Sequence, residues 1–337
     1  MTRAKVQANS IDRRKFLTCA SALGLTAAMA PLPAMAQQRR LRWGSSSLGS
    51  SGYVILEALA NVSNKYTDIR SAVQATAGTT ENFVLMGRDE LDMAHTTSLD
   101  WVAAKAGDAP FPGPIEANQL LAYVQWKNPP LVRADSDIQQ IADLRGRSYS
   151  PSKPGSGAAS MVRILFEEAG ILDEVKFVYG GWGEVYDNFG LGQIDCVHGV
   201  FTNGTPIGVI TKAEATTPLR ALEYPEDVLQ AANARNAGIL VSELTPDMWP
   251  ALDRTIRVPA LAGVLGADTT VTAEEGYAIT KAILENDEEV RSFGTPLAGV
   301  TLENAVASLL VGHPVNAGAA QFFQEKGVWR DELTIAA

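Results

Sequence analysis

Histidine and cysteine are scarce in this chain: 337 residues hold three of the first and two of the second. His95, His198 and His313 stand far apart, none at metal-ligand spacing from a cysteine or another histidine, so the sequence spells no zinc motif. A lone histidine near a strand end reads more readily as a polar contact or satisfied core residue than as a catalyst. Of the cysteines, Cys19 falls in an N-terminal leader, which leaves Cys196 alone and excludes a disulfide within the mature chain. The fold must then stand on its hydrophobic core, with Cys196 as a small buried hydrophobe. Basic charge is scarce too. No apolar run beyond the leader is long and uninterrupted enough to span a bilayer.

The leader itself is informative. "DRRKFL" carries Arg13 and Arg14, a short Ala-rich apolar run follows, and Ala34-Met35-Ala36 makes a small-x-small cleavage signal before Gln37. This is the pattern of an export peptide, and the arginine pair points to the twin-arginine route and a periplasmic destination. Gly24, Pro31 and Pro33 interrupt the run, which argues against a membrane anchor. Residues 1–36 contain five of the 28 basic residues and one of the 38 acids, so the mature chain keeps 23 and 37, a net charge of −14. Such a surface repels nucleic acid and anionic membranes.

What remains alternates strand and helix. "LRWG", "IRSAVQAT" and "ELDMAH" read as strands, separated by the amphipathic stretches "VILEALANVSNK" and "TENFVLMGRD". Pro129 and Pro130 then force an extended crossing, and a second series begins: "RSYSPS", "AASMVRILFEEAG", "VKFVYGG", "GEVYDNFGLG", "IDCVHGVF". "VTAEEGYAITKAILENDEEVRSF" opens with Thr272 and Glu275 at capping-box spacing and reads as one long amphipathic helix. Two α/β series joined by extended crossings imply two lobes with a cleft between them.

Enzymatic motifs fail one by one. Gly44 and Gly49 have phosphate-loop spacing, but Ser50 stands where the lysine belongs. Neither Gly44-x-Ser46 nor Gly49-x-Ser51 is completed by the glycine of a hydrolase elbow. "PGSGAAS" ends in Ser160 rather than a third glycine. Neighbouring acids such as Glu167–Glu168 face different ways around a helix. No catalytic set and no cofactor motif survive, so the chain reads as a non-enzyme.

A positional regularity does survive. Each early strand ends in small hydroxylated residues: "GSSSLGSSG" with five serines and three glycines, then "TAGTTEN", then "TTSLD". The second series repeats the device with "PSKPGSG" and "FTNGTP". Ligands of open parallel sheets bind at the carboxyl ends of strands, where helix N-termini offer free N–H groups. Helix capping and turns explain any one such loop. Five of them over two lobes point to a shared polar cleft.

These loops, with their order and spacing, resemble the solute receptors of the TRAP-associated extracytoplasmic immunogenic (TAXI) family, which serve tripartite ATP-independent periplasmic (TRAP) transporters. "GSSSLGSSGYV" is similar to the family's GTGGTGGTYYP, and "VQATAGTTEN" to VQATGGSxEN. "LVRADSDIQQIADLRGR", "PGSG", "GQIDC", "EATTPLRAL", "YAITKAILEN" and "LVGHPVNAGAAQFFQEKG" continue the likeness from about residue 41 to 327. Departures are Thr97-Ser98-Leu99 where the family has QSD, a serine-rich first loop, Lys153 before the second glycine loop, and "FTNGTP" for GGAPTP. The resemblance implies a type II periplasmic-binding-protein fold, with lobe 1 from 37–126 plus 260–337 and lobe 2 from 127–259. Hinges would lie near Gln125–Pro130 and Pro259–Gly263. It implies a small solute, a carboxylate or an amino acid, delivered to TRAP membrane subunits. The expected contacts are Ser45, Ser46, Ser51, Tyr53, Thr79, Thr97 and Ser98 from lobe 1. From lobe 2 they are Lys153, Ser156, Gly157, Asn203 and Thr205, with Trp182 either lining the cleft or packing within its lobe. Lys153 either pairs a ligand anion or sits in solvent. A sensory module presenting its solute to a membrane kinase would read the same way.

Overall fold

The computed structural model describes residues 39–337. The leader, its twin arginines and the cleavage site after Ala36 lie outside the described residues. No helix among the described residues is long and apolar enough to cross a membrane.

The first series folds as β1 (Arg40–Gly44), α1 (Ser51–Tyr66), β2 (Arg70–Gln74), α2 (Thr79–Met86), β3 (Met93–Thr97) and α3 (Ser98–Ala106). Strand β1 lies between β2 and β3 and runs parallel to both. The chain therefore reverses its direction of winding at β1, and the crevice at the carboxyl ends of β1 and β3 is a topological switch point. Leu41 and Trp43 of β1 are fully buried, as are Ile55, Leu56 and Leu59 on the inner face of α1. That spacing in α1 is the apolar stripe of a helix laid on a sheet.

The second series repeats the plan. It comprises β4 (Asn118–Lys127), β5 (Pro130–Arg133), β6 (Ser148–Ser150), α4 (Gly157–Glu168), β7 (Lys176–Phe177), α5 (Trp182–Gly190) and β8 (Cys196–His198). Here β6 is the central strand, parallel to β7 on one side and β8 on the other. Beyond β8 come β9 (Phe201–Thr202), β10 (Thr205–Pro206), β11 (Leu219–Ala221), β12 (Leu240–Leu244), β13 (Ile256–Ala267), β14 (Pro314–Val315) and β15 (Thr334–Ile335). The second sheet has the order β11-β5-β8-β6-β7, and all of its strands lie within 130–221. The first has the order β10-β9-β4-β13-β3-β1-β2, with β12 beside β13 and β14 beside β4. Strands β9, β10 and β12 come from the middle of the chain yet pair into the first sheet. The two long antiparallel strands β4 and β13 lie side by side in the first sheet, and the chain leaves it for the second after β4.

Cys196 is free and fully buried, and burial raises its thiol well above the usual range, so it packs as a small hydrophobe. Thr272 and Glu275 form the expected capping box. The long helix read after them is divided, however, into Ala273–Glu285 and Asp287–Ser292. Asn286 leaves the helical region (φ −121°, ψ 33°) and its side-chain amide donates to the Ala282 carbonyl at 2.8 Å. An asparagine that satisfies a backbone carbonyl in this way competes with the helix ladder, and apolar periodicity does not register it.

Candidate functional site

The two βαβαβ units face each other with matching ends. Ser50 caps α1, its Oγ accepting from the Tyr53 N–H at 3.2 Å; Ser156 caps α4, its Oγ accepting from the Ala159 N–H at 3.2 Å. Serine at this position has the extended backbone an N-cap requires and stabilises the helix by about 1 kcal/mol. The helices that follow the second strands start at Thr79 and Trp182. Four helix N-termini, two from each unit, thus bound one cavity of about 90 Å³. His95 and Thr97 wall it from the end of β3, and His198 and Val200 from the end of β8. Trp126 of β4, Leu261 of β13 and Asn128, just beyond β4, close it from the first sheet.

Apolar walls continue outward into a second chamber of about 570 Å³ that shares Ser50, Ser51, Trp182 and Val200 with the first. Val54, Ile207, Val209 and Pro296 line it, together with Thr202, Thr205 and Thr295. Among the described residues, no aspartate, glutamate, lysine or arginine lines either chamber.

Both cavity histidines are neutral, because burial pushes each down to about 3. A buried tyrosine hydroxyl meets each ring at Nδ1: Tyr123 for His95, and Tyr149 for His198 at 3.1 Å. Tyr149 is fully buried, and burial raises its own ionisation well above the ordinary value. Its hydroxyl has no other partner among the described residues, and a buried O–H donates wherever it can. The bond therefore runs from Tyr149 to Nδ1, which leaves the ring proton of His198 on Nε2.

That Nε2 has no hydrogen-bond partner among the described residues, and neither do the Trp126 Nε1 and Asn128 Oδ1 atoms. All three residues are buried, at 1%, 7% and 4% exposure. Asn128 is held in place by its other amide atom, Nδ2, which donates to the Gly199 carbonyl at 3.0 Å. Thr79 Oγ1 is also unpaired among the described residues; native proteins leave few such groups, and here four belong to residues that line one cavity.

An acid does stand near the third strand of the first unit, but it points away from the cavity. Asp100 is fully buried and accepts from Thr80 Oγ1 at 2.6 Å and Thr97 Oγ1 at 2.5 Å. Its carboxyl is raised by burial, which those hydroxyls offset in part. With its hydroxyl proton directed at Asp100, Thr97 offers the cavity only lone pairs.

The units are in contact across the cleft. Thr80 Oγ1 lies 3.3 Å from Ser160 Oγ. A methyl group at Gly157 would lie 2.8 Å from Thr79 Oγ1 and 3.1 Å from Thr97 Oγ1, and one at Gly78 would lie 3.4 Å from the Ser156 Cα. Glycine at these positions lets the loops meet.

Residues 44–327 match the model of the NMT1-like family. The chain belongs to that family. Among solved structures, it is similar to MatC from Rhodopseudomonas palustris with bound malate, at 12% identity over 77% of this chain and 88% of that one, TM-score 0.51. A protein from Bordetella bronchiseptica RB50 is similar at 15% identity over 87% of this chain and 90% of that one, TM-score 0.51. The periplasmic aliphatic sulphonate binding protein SsuA from Escherichia coli aligns at 15% identity over 75% and 72%, TM-score 0.40. The fold is the two-lobed α/β architecture of type II periplasmic binding proteins.

Set in this NMT1-like chain, the residues named from sequence fall into three groups. Ser46, Ser51, Thr79, Thr97, Ser156 and Gly157 line the inner chamber, and Thr205 the outer one. Ser45 and Ser98 turn inward: Ser45 Oγ donates to the Gln74 carbonyl at 2.8 Å. Ser98 Oγ donates to the Gly238 carbonyl at 2.5 Å and accepts from the Ala262 N–H at 3.0 Å. Tyr53, Lys153 and Asn203 line neither chamber. Tyr53 lies beside Glu57 on α1, the Lys153 carbonyl receives the Ser156 hydroxyl at 2.8 Å, and Asn203 is exposed with Oδ1 accepting from the Gln125 N–H at 3.2 Å. Trp182 lines both chambers.

Trp126, Asn128, His95 and His198 were not among the residues read from sequence as site residues. For the histidines the usable signal was their place on the third strand of each βαβαβ unit, His95 within β3 and His198 at the end of β8. Ser98→Ala should destabilise the chain by about 2–4 kcal/mol, because it strands a buried N–H and a buried carbonyl. Urea unfolding of the unliganded protein measures it, and a change within 0.5 kcal/mol (about the scatter of surface substitutions) would contradict the structural role given to Ser98.

Proposed function

We propose that this chain is a periplasmic receptor that traps a small solute between its lobes and delivers it to a membrane transporter. The observation that carries this reading is the interlobe cavity, bounded by four helix N-termini and by four residues that each carry an unpaired buried polar atom. Free N–H groups and the positive dipole ends of helices favour an anion, so the solute is a small organic acid or an amino acid. Lobe 1 comprises 37–126 and 260–337, and lobe 2 comprises 127–259. Hinges near Gln125–Pro130 and Pro259–Gly263 let the lobes close on the solute by bending. The motif likeness supports a receptor of the TAXI type serving TRAP membrane subunits, and the leader supports export to the periplasm with cleavage after Ala36.

The test is a thermal-shift screen of organic acids and amino acids. A ligand at 100 times its dissociation constant stabilises by about 2.7 kcal/mol when it binds the native state only, a shift of several degrees for a chain of this size. Silence across the panel would contradict the receptor reading for these solute classes.

A further inference from the structure

The outer chamber and the unpaired atoms narrow the solute beyond "organic acid or amino acid", provided the receptor reading holds. We infer that the solute is a hydroxylated monocarboxylate with an apolar body: its head sits in the inner chamber and its body lies in the outer chamber against Trp182 and Val200.

The inner chamber is rich in donors. Trp126 Nε1 can only donate, and Tyr149 fixes His198 so that Nε2 donates as well. The first turns of α1, α2, α4 and α5 add backbone N–H groups. A carboxylate, which only accepts, fits this set. One negative charge is also the limit, because no lysine or arginine among the described residues reaches the cavity to balance a second. An ammonium group fares worse. No carboxylate among the described residues lines the chambers, Asp100 is turned to its threonines, and the helix N-termini repel a cation.

Of the two remaining atoms, Thr79 Oγ1 can donate or accept, whereas Asn128 Oδ1 can only accept. Its amide is oriented by the Nδ2 bond to Gly199, so the ligand must bring a neutral donor. A hydroxyl beside the carboxylate does this without adding charge. The head is held to a cavity of about 90 Å³, roughly three water volumes. The chamber of about 570 Å³ beyond it takes an apolar substituent against valine, isoleucine and proline.

A matched series tests the assignment on the full purified chain by titration calorimetry at pH 7. The probes are 3-phenyllactate, 3-phenylpropionate, phenylalanine and malate, which differ in turn by the hydroxyl, the ammonium and a second carboxylate. We expect 3-phenyllactate to bind tightest. The loss should be about ten- to a hundredfold for 3-phenylpropionate, which leaves Asn128 unpaired, and more than about a hundredfold for phenylalanine and malate. Asn128→Ala should bring 3-phenyllactate and 3-phenylpropionate to equal affinity, with a melting curve taken alongside to verify the fold. The ranking on the wild-type chain decides the matter even if that variant does not fold. Phenylalanine or malate binding as tightly as 3-phenyllactate, or 3-phenylpropionate equalling it, would overturn the inference and leave the receptor reading intact. No heat with any of the four, where the broader organic-acid screen does find a ligand, also overturns it. No ligand in either experiment removes both.

Discussion

Gly157→Val should weaken solute capture by about ten- to a hundredfold while leaving the unliganded chain close to wild-type stability. Gly157 opens α4 at the place where the lobes touch, and a Cβ there would sit 2.8 Å from Thr79 Oγ1 and 3.1 Å from Thr97 Oγ1. Both contacts are tighter than ordinary van der Waals packing, and both belong to the opposite lobe. Overfilling such a contact costs about 1–3 kcal/mol, and here it falls on the closed form alone. Apparent affinity drops by the same factor as the population of the binding-competent form. In the proposed open form the valine would leave both contacts, and at a first-turn position its propensity penalty is under about 0.7 kcal/mol. Gly183→Ala is the control, because a Cβ there meets open space. Calorimetric affinity and thermal melting measured together check both halves of the expectation. An unchanged affinity in Gly157→Val would mean that closure does not bring these loops together.

Acid should destabilise the chain strongly between pH 6.5 and 3. His95 and His198 are held down to about 3 by burial, against an ordinary value of 6.5. Below pH 6.5 the unfolded chain takes up protons that the native chain refuses, so stability falls as pH falls. Each fully buried ring removes about 1.4 kcal/mol per pH unit, or about 2 kcal/mol by pH 5. His313, lowered to about 4 by burial and by Lys105, acts in the same direction. Asp100 opposes them: burial raises its carboxyl, and protonation there relieves a buried charge. Two full histidine contributions should outweigh that single group. His198→Gln keeps an amide N–H near the position of Nε2 and removes one titration. Urea midpoints from pH 7 to pH 4 should therefore fall less steeply in this variant, by about one proton's worth. Equal slopes would mean that His198 titrates near its ordinary value in the native chain.

Much of this architecture was legible in the sequence, and the reasons are local. Alternating apolar strands and amphipathic helices locate β1 to α3 and β6 to α5, because each segment's periodicity is set by its own hydrogen-bonding repeat. The hydroxyl-rich strand ends point to a cleft because helix N-termini follow them. Which hydroxyls face that cleft was not legible. Ser45 and Ser46 are neighbours, yet one donates to the Gln74 carbonyl and the other lines the chamber. Ser98 looked like Thr97 and instead ties α3 to Gly238 and Ala262.

Trp126 and Asn128 escaped notice for a different reason. They sit where β4 leaves the first sheet beside two prolines, and only the side-by-side packing of β4 and β13 carries them into the cavity. Lys153 looked like a ligand cation because it was the basic residue in those loops, but its side chain lines neither chamber. The uncharged character of the cavity is a tertiary fact, and it decides which solutes can enter.

The central claim is that the solute sits between the lobes, at the unpaired atoms of Trp126, Asn128 and His198. A crystal structure of the chain with the tightest ligand of the panel tests it most directly. The ligand's polar head is expected within hydrogen-bond distance of His198 Nε2 and Asn128 Oδ1, with its body against Trp182. A ligand bound elsewhere, with those three atoms still unpaired, would contradict the claim.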